Sequence, residues 1–414
     1  MRKIPTVLLA FFLSIAFVYG GGFQINDHSG RSVGMAFSVV ANPTDASGIA
    51  FNPAAMTNLD GEYNFSLGAS YIMPGAKFTG ITTMNQQNTT EMNTWNFIIP
   101  HFFGTWKTPI NNLNFGLGVF VPFGLGTEWP DNWVGRFLAS KTYLETIEIN
   151  PNIAYKFEIA QIPISLSIGY GFAIGNVELK QNISTFSPEP ILTLKGDGTA
   201  STFNFGLLVE PMKNLKIGAS YRNNIKINYD GNTSYENIAG LESIFQESTG
   251  KTTINFPNDF RLGVAYIFSD NFSIEAGMNY MGWSSYDTLK IDIAKARGNP
   301  PTEYISATPR NYKDAITYRI GGEYLFDNFA IRAGFYYDPL AVSASNVEPV
   351  LPESNRYCFS VGFGYKPYKD LKLDLGYLGI IGSQTNVIGN PNQFDGIYNT
   401  WANVVSLTLS YKIQ

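Results

Sequence analysis

The amino-acid sequence predicts an all-β chain: a 14-stranded antiparallel transmembrane β-barrel. Three observations predict it. Apolar and polar residues alternate with period two over long segments. The links between those segments alternate between short turns and long polar loops. After the N-terminal leader, no run of about 18 uninterrupted apolar residues could form a spanning helix.

The composition agrees. Charged residues are 15% of the chain, below the usual quarter of a soluble protein, and aromatics are also 15%. The chain's 40 glycines and 24 tyrosines favour strands and turns over helices. A net charge of −5 gives no nucleic-acid footprint. The single cysteine, Cys358, excludes an internal disulfide framework and a cysteine metal cluster. No cofactor and no metal are expected.

The N-terminus reads as a secretory signal over residues 1–20. Arg2 and Lys3 form a basic region, Val7 to Val18 a mostly apolar run, and Gly20 with Val18 a small-residue cleavage site. The apolar run is too short for a comfortable spanning helix, which needs about 20 residues.

Strand patterning fills the rest. Odd positions Leu215, Ile217, Ala219 and Tyr221, then Ile225, Ile227 and Tyr229, are apolar, with Arg222 and Lys226 among the residues between them. Phe272, Ile274, Ala276, Met278 and Tyr280 alternate with Ser273, Glu275, Gly277 and Asn279. Val405, Leu407, Leu409, Tyr411 and Ile413 alternate with Ser406, Thr408, Ser410 and Lys412. In a soluble sandwich the apolar face would be the core, whereas in an outer-membrane barrel it faces lipid. Strand length and aromatics at strand ends favour the barrel.

Fourteen strands are expected near residues 62–80, 93–108, 112–123, 140–157, 162–181, 200–210, 213–229, 252–268, 271–293, 313–326, 328–338, 355–366, 371–381 and 400–413. Long loops are expected near 182–199, 230–251, 294–312, 339–354 and 382–399. An even count brings both ends of the barrel, residues 61–414, to the periplasmic side. That leaves residues 21–60 as a segment outside the wall. Within it, Asn52 could cap a helical turn with Pro53 at its first position, and Ala54 and Ala55 are small enough for tight packing.

Several stretches resemble the FadL-type outer-membrane transporters of long-chain fatty acids and other hydrophobic compounds, a family with an aromatic-hydrocarbon branch. They are Gly22 to Asn26, Asp45 to Ala54 with the Asn52-Pro53-Ala54 triplet, Gly124 to Trp129, Tyr221-Arg222, Phe256-Pro257, Trp283-Ser284 and Lys313 to Ala315. The resemblance runs over essentially the whole mature chain. It implies that residues 21–60 are an N-terminal hatch plugging the 14-stranded barrel, in the bacterial outer membrane, with passive uptake and no enzyme reaction. Substrate would bind outside in an apolar groove, pass to a pocket where hatch and wall meet, and leave sideways through a gap at the third strand.

The third strand carries Gly116, Gly118 and Pro122. Glycines mark bends, and proline donates no ladder hydrogen bond. These residues form a candidate lateral gate, unless Pro122 merely ends the strand. In the loops, Phe186, Ile191, Leu192 and Leu194, with Ile238, Leu241 and Phe245, could line the outer groove or simply pack together. A carboxylate head group would need a cation. Arg222, Lys226, Arg261, Arg319 and Arg332 face the lumen by parity, and most such arginines pair with interior acids such as Glu275, Glu323 and Asp374. The resemblance adds Lys180 and Lys313.

Catalysis finds little support, since the only histidines are His28 and His101 and no catalytic motif appears. The alternative function is a general or sugar porin, which would need no N-terminal plug. The expected partners are a hydrophobic small molecule, outer-membrane lipid and the barrel-assembly machinery, with no nucleic acid and a monomeric chain. The chain ends in Gln414 where an aromatic is usual for assembly.

Overall fold

Exposure along the strands runs opposite to that of a soluble protein. Leu407 is 54% exposed and Leu409 41%, while Ser406 and Thr408 between them are 0% and 1% exposed. An apolar face turned outward and a polar face turned inward suit hydrocarbon outside and a hydrogen-bonded interior. The computed structural model describes residues 22–81, 87–183, 186–298 and 301–414. The expected signal peptide, residues 1–20, lies outside them.

The strands in chain order are β1 (Tyr63–Ile81), β2 (Gln87–Glu91), β3 (Phe97–Lys107), β4 (Leu113–Glu128), β5 (Lys141–Ile159), β6 (Ile162–Asn182), β7 (Ile191–Met212), β8 (Leu215–Arg222), β9 (Ile225–Glu236) and β10 (Ser248–Phe256). They continue with β11 (Asp259–Ser269), β12 (Phe272–Met281), β13 (Thr288–Gly298), β14 (Pro301–Pro309), β15 (Ala315–Phe326), β16 (Phe329–Asp338), β17 (Arg356–Tyr368), β18 (Leu371–Gly382), β19 (Thr385–Val387) and β20 (Gly396–Ile413).

Fourteen of these form the antiparallel wall. Neighbours pair in the circuit β1, β3 to β8, β11, β12, β15 to β18 and β20, which returns to β1. Closure runs from Tyr63 opposite Ile413 to Gly80 opposite Gly396. Short turns join the strands at one end, among them Ala160-Gln161 and Asp327, whose φ angles are 48°, 66° and 50°.

Above the wall the strands run on, and here the expected loops are corrected. Residues 191–199 belong to β7, which pairs with both β6 and β9. Most of 294–312 is the β13–β14 hairpin, and parts of 230–251 and 382–399 are also strand. Polar, β-branched stretches extend the ladders beyond the membrane, where exposed backbone is tolerated and composition alone reads as loop.

The seventh strand also turns over. Tyr221 is 38% exposed, but Ile227, of the same parity, is fully buried. The break falls at Asn223-Asn224, where the Asn223 side chain accepts hydrogen bonds from Thr202 and the Phe203 amide. Above it the apolar face points inward, so Lys226 is exposed and not in the lumen as parity suggests.

Residues 22–60 sit inside the barrel. Ser29 caps the helix α1 (Gly30–Gly34), while Asp45 and Asn52 cap short 3-10 turns at Ala46–Ala50 and Pro53–Asn58. A side chain on Gly30 would come 2.2 Å from the Asp374 carbonyl, so only glycine lets α1 lie on the wall. Polar wall groups hold the segment on several sides. Glu275 accepts the amides of Val40, Ala41 and Asn42. Arg31 makes two bonds to Glu323, at 3.0 and 3.1 Å, and Thr408 accepts the Gly30 amide.

Lumen cations mostly find acids. Arg222 pairs with Glu148, Arg261 with Asp259, and Arg332 with Glu323 and Asp374. Glu275, expected to pair with an arginine, serves backbone amides instead.

Three amides converging on one buried carboxylate give a direct test. Hydrogen bonds to a charged group contribute about 1.5–3 kcal/mol each. Glu275→Ala is expected to raise amide exchange at Val40, Ala41 and Asn42 about 100-fold while wall amides keep their protection. Unchanged exchange at those three residues would remove Glu275 as the clamp.

Candidate functional site

The wall has one interruption among the described ladders that matters for passage. β3 and β4 pair only from Phe102 opposite Val119 to Lys107 opposite Asn114. Phe97 to His101 and the rest of β4 part company. On its other side β4 slips register against β5 between Phe120 and Phe123, a bulge that contains Pro122. Proline cannot donate to the ladder. The freed groups find other partners. The Thr146 hydroxyl accepts the Phe123 amide at 3.1 Å and donates to the Phe123 carbonyl at 3.0 Å.

The hatch supplies the rest. The Ile25 amide donates to the Pro122 carbonyl at 2.9 Å, and the Gly124 amide donates to the Phe23 carbonyl at 3.0 Å. Gln24 thus bridges antiparallel to Phe123. The first described residues act as a short strand on the edge that β3 leaves open.

A cavity of about 260 Å³ lies at this gap, lined chiefly by apolar groups such as Phe23, Ile25, Val121 and Leu125. Its lining reaches from Ile99, 6% exposed, to Ile98, 70% exposed on the outer surface. Phe23 sits in an aromatic cluster with Trp283, Tyr286, Phe256 and Phe123 at centroid distances of 4.9, 5.5, 5.9 and 6.2 Å.

Two buried carboxyls border the same cavity, Asp27 on the hatch and Glu353 before β17. Burial pushes both up to about 7.

The sequence-predicted residues divide between several places. Pro122 lies in the bulge. Gly116 and Gly118 lie below it, still paired with β3, and make room for the hatch. A Cβ on Gly116 would meet Ile49 and Met56 at 2.8 Å. Gly124 and Gly126, not singled out from sequence, flank the cavity. The Phe97 ring covers Gly126, where a Cβ would come within 2.0 Å.

Asn52 donates to the carbonyls of Val40 and Leu207 while its oxygen caps the Ala54 amide, and Pro53 and Ala54 are buried beside it. Phe186, Phe245 and Tyr235 stack edge to face or tilted at 5.2 Å, and Leu194 packs with Ile293, Leu192 and Ile291. Ile191 is on β7, and Ile238 and Leu241 lie in successive turns without a helix. None of these residues lines the gap cavity. Lys180 pairs with Glu236 at 3.0 Å on the outer strands, and Lys313 is exposed before β15. His101 bonds Thr408 at 2.9 Å, and His28 packs edge-on against Phe120.

A lipid-facing wall, a lumen filled by the N-terminal segment and an apolar cavity at a wall gap define a plugged transport barrel. The chain belongs to the family described as outer membrane protein transport protein (OMPP1/FadL/TodX), which matches residues 12–413. It is 28% identical over 402 residues to a long-chain fatty acid transport protein of Escherichia coli O6:H1, covering 86% of each chain. It is 26% identical over 421 residues to the Salmonella typhi protein of that name, covering 92% of each.

Among solved structures, a Pseudomonas aeruginosa FadL homologue superposes with a TM-score of 0.81 at 21% identity, covering 95% of this chain and 100% of that one. The Pseudomonas putida toluene transporter TodX gives 0.68 at 16% identity, covering 95% and 98%. The chain is an outer-membrane protein for passive transport of hydrophobic molecules. The sugar-porin alternative has no support.

Asp27 and Glu353 make stability depend on pH. The folded protein keeps protons that the unfolded chain loses in the ordinary carboxylate range. Stability therefore falls as pH rises from that range through about 7, and the loss is complete only above it. In detergent, the melting temperature is expected to drop a few degrees between about pH 5 and about pH 8. Asp27→Asn should shrink that drop, and an identical pH profile in the variant would exclude Asp27 as a contributor.

Proposed function

We propose that lipophiles leave this barrel sideways, through the β3–β4 gap, into the outer leaflet's hydrocarbon. The observation that carries the reading is the 260 Å³ cavity whose lining runs from hatch residues Phe23 and Ile25 to the surface residue Ile98. An apolar molecule gains free energy by moving from such a cavity into lipid and gains none by crossing to water.

On this reading, long-chain fatty acids and aromatic hydrocarbons are the substrate classes, in keeping with the names borne by the chain's relatives. Pro122 and its bulge form the gate, with Gly124 and Gly126 as its flanks. Gly116, Gly118, Asn52, Pro53 and Ala54 seat the hatch. The outer cluster around Phe186 and Phe245 is a first contact for arriving lipophiles. The wall closes on itself, so a monomer suffices.

Solute uptake into proteoliposomes tests this. A long-chain fatty acid or an aromatic hydrocarbon should enter and a small sugar should not. Val121→Trp, which fills the cavity beside the bulge, should slow lipophile entry about tenfold without admitting sugar. Free sugar passage through the intact protein would overturn the reading.

A further inference from the structure

The short-turn, periplasmic end of the barrel carries a row of lysines on neighbouring strands. Tyr365 of β17 lies opposite Leu373 of β18, and Lys372 of β18 lies opposite Ser410 of β20. That register brings Lys366, Lys372 and Lys412 to one sector of the rim. They share the parity of the buried residues Gly364, Asp374 and Ser410, so they point toward the periplasmic mouth of the lumen. Like charges on adjacent strands repel one another.

Acids offset them only in part. Lys372 lies 3.1 Å from Asp374, but Asp374 is shared with Arg332 at 2.9 Å. Lys412 lies 3.9 Å from Asp60, whose side chain is 89% exposed, and such a pair is weak in water. Lys366 and Lys369 are exposed and form no ion pair among the described residues. With Lys216 these four line a cavity of about 360 Å³. Its remaining acids have other tasks. Glu323 is held by Arg31 and Arg332, Asp45 caps the Ser47 amide, and Asp370 accepts from the Gln414 side chain at 3.3 Å.

The same cavity crosses the rim. Phe65 of β1 pairs with Tyr411 of β20, and Tyr411 pairs with Leu371 of β18. This row has the outward parity, Phe65 and Tyr411 are 36% and 48% exposed, and all three residues line the cavity. Aromatic residues at strand ends mark the level of the lipid head groups. A basic row on the lumen side and an apolar row on the lipid side therefore border one space.

We propose that this rim cavity holds an anionic phospholipid of the periplasmic leaflet. Its phosphate lies among Lys366, Lys372 and Lys412, and its acyl chains lie on Phe65, Leu371 and Tyr411. The phosphate supplies counter-charge that the lysine row lacks, and the apolar row supplies contact for the chains. Pro43 and Ala46 of the hatch line the same space, so the lipid ties the N-terminal segment to the wall. The site does not depend on which cargo the barrel carries.

Native mass spectrometry of the purified full-length barrel tests it, with equal amounts of dioleoyl phosphatidylglycerol and dioleoyl phosphatidylcholine offered in detergent. The wild type should retain one phosphatidylglycerol about tenfold or more in preference to phosphatidylcholine. Lys366→Gln, Lys372→Gln and Lys412→Gln together should abolish the preference, and arginine at the same three positions should keep it. An unchanged preference in the glutamine variant would overturn the proposal. Equal retention of the two lipids by the wild type would overturn it without any variant, which covers a glutamine variant that does not fold. Inorganic phosphate in large molar excess should leave the lipid in place. Displacement by phosphate would overturn the lipid assignment and make the cavity a site for a soluble anion.

Discussion

Hydrocarbon offers no hydrogen bonds, so every backbone N–H and C=O in the wall must find a partner inside the protein. Most of this molecule follows from that requirement. The ladder circles through fourteen strands and closes β1 on β20 over eighteen residue pairs, Tyr63–Ile413 to Gly80–Gly396. Side chains follow the backbone. Apolar groups stand outward, and serines, threonines and asparagines bond one another inward, as Asn150, Asn152 and Asn204 do. Where the ladder stops, at β3 and β4 beyond Val119, the requirement still holds. Thr146 and the hatch residues Phe23 to Ile25 take over as partners.

The hatch therefore has two connected tasks. Its body fills the lumen and is fixed by Glu275, Arg31 and Asn52. Its leading segment is a strand lent to the interrupted wall. Movement of residues 23–25 would break their bonds to Pro122 and Gly124 and alter the cavity lining together. Plug and gap share atoms, so access to the cavity is coupled to the seating of the N-terminal segment without any long relay.

The wall was legible in the sequence because period-two alternation reports directly which face meets lipid. The fourteen wall strands lie close to where the alternation puts them, although the expected strands 213–229, 252–268 and 271–293 each break, after Arg222, Phe256 and Met281, and Asn52 caps the turn that Asn-Pro suggests. The extracellular extensions were not legible. Residues 191–199 and the β13–β14 hairpin are polar and rich in threonine, glycine and lysine, which in water suits loop and strand alike. The inversion at Asn223-Asn224 escaped for a related reason, since two residues between strands leave no sign of which face comes next. Gly116 and Gly118 look like kink residues, but their absent side chains serve packing against Ile49 and Met56. Arg319, whose Nε and Nη1 have no hydrogen-bond acceptor among the described residues, looked like its neighbours Arg222, Arg261 and Arg332, because parity places a cation in the lumen without saying whether an acid reaches it.

The inversion has a consequence for how apolar surface is arranged along the barrel axis. Below Asn223 the apolar residues of the seventh strand face lipid, and above it Ile225, Ile227 and Tyr229 face the interior. They join one buried cluster that contains Phe78, Trp129 and Trp133 among the outer elements and Phe256 and Trp283 deeper in. Phe123 at the bulge and Phe23 on the hatch belong to it as well. Apolar contact is therefore continuous from the extracellular cap to the edge of the gap cavity. On the proposed transport reading, a lipophile following this seam would exchange one set of apolar neighbours for another instead of entering the hydrogen-bonded lumen, where it would separate polar groups that water cannot reach to satisfy. The same seam deters polar solutes, which would lose hydration on it without gaining partners. On that reading the path itself would select for hydrophobic cargo.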